Sequence, residues 1–253
     1  MSKILVIGDS CTDIFQYGVC ERLSPEAAVP IFKPTYLTTT GGMAINVAEN
    51  LAAFGVEYDL FTNDFRPAKT RYVEEQSNHL LLRIDVNDRV DPIEWEMLDK
   101  INFNDYRAVI IADYNKGYLY EDHIQYIAKR HNLVFLDSKK KIGDWVENID
   151  FLKINKSEFL QNWNDSVKFK GSLIVTLGKD GADLKNPNKI KRFSIENEHN
   201  VRDLSGAGDT FVASLVVKYL ENKDIEESIH FANKCAAWVV TQKGVVPINP
   251  DKI

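Results

Sequence analysis

The sequence predicts an α/β fold, a mostly parallel central sheet with helices on both faces and a few strands projecting from it. Runs that are apolar almost throughout, such as "KILVIG", "YRAVIIADY" and "SLIVTLG", alternate with helix-patterned segments. That is the pattern of strands buried on both faces and joined by crossovers. A second kind of strand candidate, within 14–37 and 70–86, carries enough charge to be half exposed and falls outside this rhythm. With 253 residues and 44% hydrophobic content the chain suits one large domain, 1–253, into which 14–37 and 70–86 are inserted as lid strands.

The elements follow in order. "KILVIG" is the first strand and stops at Gly8-Asp9. Segment 14–37 reads as short β-prone pieces separated by prolines and leads into "TTTGG". "MAINVAENLAAFG" has helical periodicity and a closing Gly55. "VEYDLFTN" is a strand, and "KTRYVEE" with "HLLLRIDV" forms a hairpin-like pair. Then come strand "YRAVIIADY", helix "YEDHIQYIAKRH", strand "NLVFLDSK", strand "DFLKIN", helix "KSEFLQNW" and strand "SLIVTLG". The basic run "KNPNKIKR" (185–192) reads as a solvated loop, and two helices, "TFVASLVVKYLEN" and "IEESIHFANKCAAWVVTQKG", finish the chain.

A net charge of −6 argues against general binding to nucleic acid, while leaving room for a local basic pocket. No run approaches 18 apolar residues, and "MSKILVIGDS" reads as a strand rather than a secretory signal, so no membrane association is expected. Cys11, Cys20 and Cys235 are scattered with no C-x-x-C spacing, which favours free thiols and a cytoplasmic location.

The junction "VRDLSGAGDTFVASL" carries the sharpest chemical signal. A helix starting near Gly208 leaves the amides of Gly206, Ala207 and Gly208 as unpaired donors, and glycine lets a ligand approach that backbone closely. With the helix dipole they form an anion hole. Asp209 beside it suits a base that takes a proton from a hydroxyl while the amides hold a transferring phosphoryl group. Equally, Ser205 or Asp209 could simply cap the helix.

Weaker signals accompany it. Gly41 and Gly42 let the backbone come close to a ligand, and Asn46, one turn into the next helix, can donate and accept toward a polyol. Asp9 and Asp13 lie at the carboxyl end of the first strand, where α/β folds bind ligands, and Asp13 suits sugar hydroxyls. In "INKSEF", Asn155 and Glu158 offer hard oxygens for water around Mg²⁺, or else an ordinary capping box. "VTLGKDGADL" could lay a nucleotide across Gly181 with Lys179 near phosphates, or be a common turn. Arg22, Arg71, Arg83, Lys116 and Lys139 are the basic candidates for a phosphorylated ligand. The G-x-x-x-x-G-K-[ST], G-x-G-x-x-G and H-E-x-x-H patterns are absent.

Taken together, "DLSGAGDTFVASL", "GGMAINVAENLAAFG" and "NKSEF" resemble the signatures of the PfkB-type carbohydrate kinases of the ribokinase-like superfamily, with Ser205 where Thr is usual. Their order and spacing span almost the whole chain. Within that family, "GDSCTDIFQYGVCERLSPEAAVPIF", "KTRYVEEQSNHLLLRID", "IIADYNKGYL" and "FLDSKK" are similar to the kinase half of the bacterial ADP-heptose pathway enzyme. That half phosphorylates D-glycero-D-manno-heptose 7-phosphate at O1. The resemblance implies a ribokinase-like fold, ATP and Mg²⁺, a small sugar-phosphate substrate and a homodimer through the lid strands. It implies Asp209 as catalytic base and Gly206, Ala207 and Gly208 as anion hole. Asp13, Gly41, Gly42 and Asn46 become sugar contacts, with Arg83 and Lys116 for the sugar's phosphate. Asn155 and Glu158 would hold Mg²⁺ through water, and Lys179, Gly181 and Asn233 would face the nucleotide.

Two departures stand out. Relatives carry a glycine-rich turn and a helix between the strands matching "VEYDLFTN" and "KTRYVEE", where this chain has only "DFRPA". The stretch between "GADL" and "FSIEN" is also abbreviated. The first bears on which sugar is accepted, the second on the nucleotide site. A nucleotidyltransferase half has no counterpart, so the kinase step alone is expected. The alternatives are a kinase for another sugar or sugar phosphate, and a catalytically weak module that binds one.

Overall fold

The computed structural model describes residues 3–163, 169–186, 189–195 and 200–253. β1 (Lys3–Gly8) is buried on both faces, and its neighbours are β4 (Tyr58–Thr62) and β7 (Tyr106–Asp113), both parallel to it. Between β1 and β4 the chain makes β2 (Ser10–Leu23), β3 (Pro30–Met43) and helix α1 (Ala44–Ala53). β5 (Ala68–Glu74), β6 (Leu80–Val86) and the short helix α2 (Trp95–Asp99) precede β7. Beyond it come α3 (Glu121–Ala128), β8 (Val134–Ser138), β9 (Phe151–Asn155), α4 (Lys156–Asn162) and β10 (Ser172–Thr176). An antiparallel pair, β11 (Ala182–Asn186) and β12 (Lys189–Phe193), leads to α5 (Ala207–Asn222) and α6 (Ile225–Val239).

The main sheet runs β12-β11-β10-β9-β8-β7-β1-β4, parallel from β4 through β10 and antiparallel at β11 and β12. Period-two alternation divides its side chains. Ile4 and Val6 join one core with α1, α5 and α6 residues such as Leu51, Phe211 and Ile229. Leu5 and Ile7 join the other with Leu98, Ile124 and Trp145.

The second sheet runs β3-β2-β5-β6. Segment 14–37 is therefore not a set of short pieces: β2 and β3 are 14-residue strands paired as one long hairpin. Its prolines are tolerated because β3 is an edge strand, and Pro34 lies where the register slips at Tyr17/Gly18. The basic run 185–192 also differs from a plain loop, since β11 reaches Asn186 and β12 starts at Lys189. A two-residue-period pattern only five residues long was hidden by the Asn-Pro-Asn and lysines around it. Residues 187 and 188, and 196–199 with the "EN" of "FSIEN", lie outside the described residues.

Candidate active site

β1 has β4 on one side and β7 on the other, so the strand order reverses at β1, the place where open α/β sheets form a ligand crevice at their carboxyl ends. Asp9 closes its floor. Its carboxylate accepts from the amides of Tyr114 (2.7 Å), Lys116 (3.2 Å) and Tyr118 (3.1 Å), fixing the loop after β7. Burial nevertheless pushes its pKa up.

Above that floor stands the amino end of α5. Its N-cap is Gly206, with φ 81°, a left-handed conformation that suits glycine, and no side chain caps the helix. Capping by Ser205 or Asp209 is thus not how this terminus is satisfied. The amides of Gly206, Gly208 and Asp209 have no hydrogen-bond partner among the described residues, whereas the Ala207 amide, expected in the anion hole, donates to the Leu204 carbonyl (3.4 Å) in the turn before the helix. A Cβ on Gly206 would lie 2.7 Å from Asn46 Nδ2, and one on Gly208 would lie 3.0 Å from Lys153 Nζ.

Asp209 is 4% exposed. Asn46 Nδ2 donates to its Oδ2 (2.9 Å), and the Tyr114 hydroxyl donates to its Oδ1. Asn46 is set in turn by Asn50, whose Nδ2 donates to Asn46 Oδ1 (3.1 Å), while the Ile248 amide donates to Asn50 Oδ1 (2.9 Å). Asn46, grouped above with the sugar contacts, is fully buried and turns its amide to Asp209. Burial raises the Asp209 pKa to about 6, with the Tyr114 and Asn46 hydrogen bonds and Lys153 pulling against it and Asp137 adding to it. Such a carboxylate is poised to exchange a proton near neutrality. Replacing Tyr114 by Phe removes one of those opposing bonds, so the acid limb of any Asp209-dependent rate should move to higher pH. An unmoved limb in Tyr114→Phe would show that the hydroxyl does not hold the carboxylate in solution.

Cations and carboxylates surround this centre. Lys153 and Asp137 face each other across β9 and β8 as a buried pair at 2.7 Å. The other Asp137 oxygen, Oδ1, is buried and has no hydrogen-bond partner among the described residues. Lys139 pairs with Glu158 at 2.7 Å, and its Nζ lies 4.7 Å from the Tyr114 ring centroid. Asn155 and Glu158 form a capping box on α4, with Asn155 Oδ1 accepting from the Glu158 amide and Glu158 Oε2 from the Asn155 amide. Burial opposes the Glu158 charge, but those bonds and the lysines hold its pKa below the usual range.

Where β2 pairs with β3, a Cβ on Gly42 would lie 2.0 Å from Asp13 Oδ2, so glycine is needed for that carboxylate to sit there. Arg71 holds Asp13 Oδ1, and at Gly41 a Cβ would meet Ile45 Cγ2 at 2.0 Å. Arg83 grips Asp85 and Lys116 grips Asp88. On the far side, a cavity of about 500 Å³ is lined by Ser194, His230, Asn233, Lys234 and Trp238 among others. Asn233 Nδ2 donates to Phe193 O (2.8 Å). Gly181, at φ 87°, lies against that strand, where a Cβ would be 2.0 Å from the Phe193 carbonyl oxygen. Lys179 is exposed on the one-turn helix Gly178–Asp180.

Tyr114, Asp137 and Lys153 are further functional candidates, brought to the site by the fold rather than marked by any motif. A charged residue inside an otherwise apolar strand, as in "FLDS" and "FLKIN", was the available signal, because such a charge needs a buried partner.

The donors fit the groups that phosphoryl transfer needs. Free amides at a helix terminus fit a phosphate, and Asn155 and Glu158 supply hard oxygens of the kind that hold water around Mg²⁺. Fold and family membership indicate a phosphotransferase. The family model for "pfkB family carbohydrate kinase" matches residues 93–252, and the chain belongs to that family. It is 30% identical to Bifunctional protein HldE of Helicobacter pylori (strain J99 / ATCC 700824), over 96% of this chain and 64% of that protein. With Bifunctional protein HldE of Helicobacter acinonychis (strain Sheeba) the identity is 31%, over the same shares. The chain thus spans just under two thirds of the length of these curated relatives. Its fold matches that of ribokinase from Thermotoga maritima with a TM-score of 0.72 at 19% identity, over 98% of this chain and 97% of that one. Among the described residues, no helix is long and apolar enough to cross a membrane.

Proposed function

We propose that the chain transfers the γ-phosphoryl group of ATP to a sugar hydroxyl, and that the acceptor is O1 of D-glycero-D-manno-heptose 7-phosphate. The observation that carries the reading is Asp209, a buried carboxylate of raised pKa beside helix-terminal amides that no side chain caps. Asp209 accepts the proton of the attacking hydroxyl, while the amides of Gly206 and Gly208 and the Lys153 ammonium stabilise charge on the transferred group. Asp13, positioned by Arg71 and Gly42, orients the sugar, and Arg83 and Lys116 stand where its phosphate enters. The cavity at Asn233 takes the nucleotide, with Gly181 and Lys179 on the same flank. Asn155 and Glu158 would hold Mg²⁺ through water, which when bound neutralises phosphate charge. Free thiols at Cys11, Cys20 and Cys235 agree with a cytoplasmic setting.

The experiment is an acceptor panel of heptose 7-phosphate, hexose phosphates and free sugars, with Mg-ATP, reading ADP and product mass. Selective formation of a heptose bisphosphate supports the reading, and sugar-independent ATP loss or transfer only to an unphosphorylated sugar contradicts it. A second reading, a sugar-phosphate-binding module of weak turnover, is favoured by the Tyr114 hydroxyl resting on Asp209 and by the five residues, 63–67, that alone join β4 to β5. It predicts sugar binding without ADP release.

The lid sheet is proposed to pair two copies. Its outer face carries Leu37, Leu82, Ile84 and Val86, all exposed, on strands whose register aligns them. Light scattering should find a dimer for the wild type and a monomer for the Leu82→Glu/Ile84→Glu variant. A wild-type monomer at assay concentration would remove the dimer from the account.

A further inference from the structure

The inner face of the lid sheet contains a cation whose counter-charge has been taken by others. Strand register places Asp13, Lys69 and Asp85 in one row across β2, β5 and β6, and Arg71 faces Arg83 in the next row on the same face. Arg71 binds Asp13 and Arg83 binds Asp85, so the two arginines occupy both carboxylates of the Lys69 row. Lys69 is only 9% exposed, yet among the described residues its ammonium has no hydrogen-bond acceptor and no carboxylate within ion-pair distance. Its Nζ stands over the face of Tyr114, 5.6 Å from the ring centroid. Thr40, the β3 partner of Asp13 in the same row, likewise leaves its buried hydroxyl oxygen without a partner.

Burying an ammonium without an acceptor is costly, whereas the same cation becomes favourable once an anion meets it. Arg83 and Lys116 would each have to release a carboxylate before binding a phosphate. Lys69 would not. Because Tyr114 touches Lys69 with its ring and Asp209 with its hydroxyl, a ligand lying along Tyr114 reaches both. We propose that Lys69 is the specificity-determining residue for the acceptor's own phosphate. It selects sugars that carry a phosphomonoester at the end of the molecule remote from the hydroxyl presented to Asp209. This rests on the kinase reading above, but it is tested without turnover.

The test is calorimetric titration of heptose 7-phosphate and of free heptose, without ATP, into wild type, Lys69→Met and Lys69→Arg. The wild type should prefer the phosphorylated sugar. Lys69→Met should lose about ten- to a hundredfold in affinity for it and nothing for free heptose, with partial recovery in Lys69→Arg. Unchanged free-heptose binding doubles as the check that the variant is folded. Equal loss with both sugars, no loss, or no wild-type preference for the phosphorylated sugar overturns the assignment. So does a loss confined to ATP affinity, which would place Lys69 on the transferred group. Selective binding without any ADP release would sink the kinase reading and leave this one standing, and turnover unaffected by Lys69→Met would do the reverse.

Discussion

Asp209→Asn should lower phosphoryl transfer about 10²- to 10⁴-fold and, above pH 6, make the fold more stable. The first effect follows from removing the proton acceptor while keeping size and shape. The second follows from linkage. The folded pKa of Asp209 is raised from the ordinary 3.8 to about 6, so the native state binds its proton more tightly than the unfolded chain does. Below pH 3.8 both states are protonated and the group is neutral toward stability. As pH rises through 6 the folded protein must bury a charge, and the full cost, up to about 3 kcal/mol for that shift, is present at pH 7 and above. The amide introduced by Asp209→Asn is free of that cost, and it can accept from Asn46 and donate to Tyr114. Thermal melts at pH 8 and pH 4 check this. The variant should melt higher at pH 8, with the difference fading toward pH 4, and a variant less stable at pH 8 would contradict the burial argument.

Lys153→Met has the second large effect. Asp137 and Lys153 are buried together, and removing one partner leaves the other charge stranded, at about 3–5 kcal/mol. Urea unfolding should show that loss, and Asp137→Asn/Lys153→Met should recover most of it, because both charges then leave the interior. Activity should not recover with stability, since Lys153 Nζ lies next to Gly208 and lowers the Asp209 pKa. Restored turnover in the double variant would reduce Lys153 to a purely structural role.

The contrast between these residues shows what was legible from sequence. The Gly206–Asp209 junction could be read because its chemistry is local: a left-handed glycine, a helix start and an acid lie within four residues. The parallel strands were legible for the same reason, each being a contiguous apolar run. Asn46 was placed by type, as a polar group one helical turn past two glycines. Its bond to Asp209 spans 163 residues and exists only because α1 packs beside α5. Tyr114 reads from sequence as the last residue of the strand "YRAVIIADY"; the strand stops at Asp113, and the loop held by Asp9 carries Tyr114 to Asp209. Lys69 belonged to a strand that read correctly as half exposed, but the face on which each cation fell depended on cross-strand register. The long β2–β3 hairpin was obscured by prolines that an edge strand accommodates.

The most direct test of the account is the pH dependence of kcat/KM for the sugar phosphate at saturating Mg-ATP, which reports the ionisation of the free enzyme's base. The rate should be flat at neutral pH and fall below about pH 6 in proportion to the fraction of Asp209 that is ionised. A rate that stays flat down to pH 5, or an acid limb that persists unchanged in Asp209→Asn, would contradict Asp209 as the base.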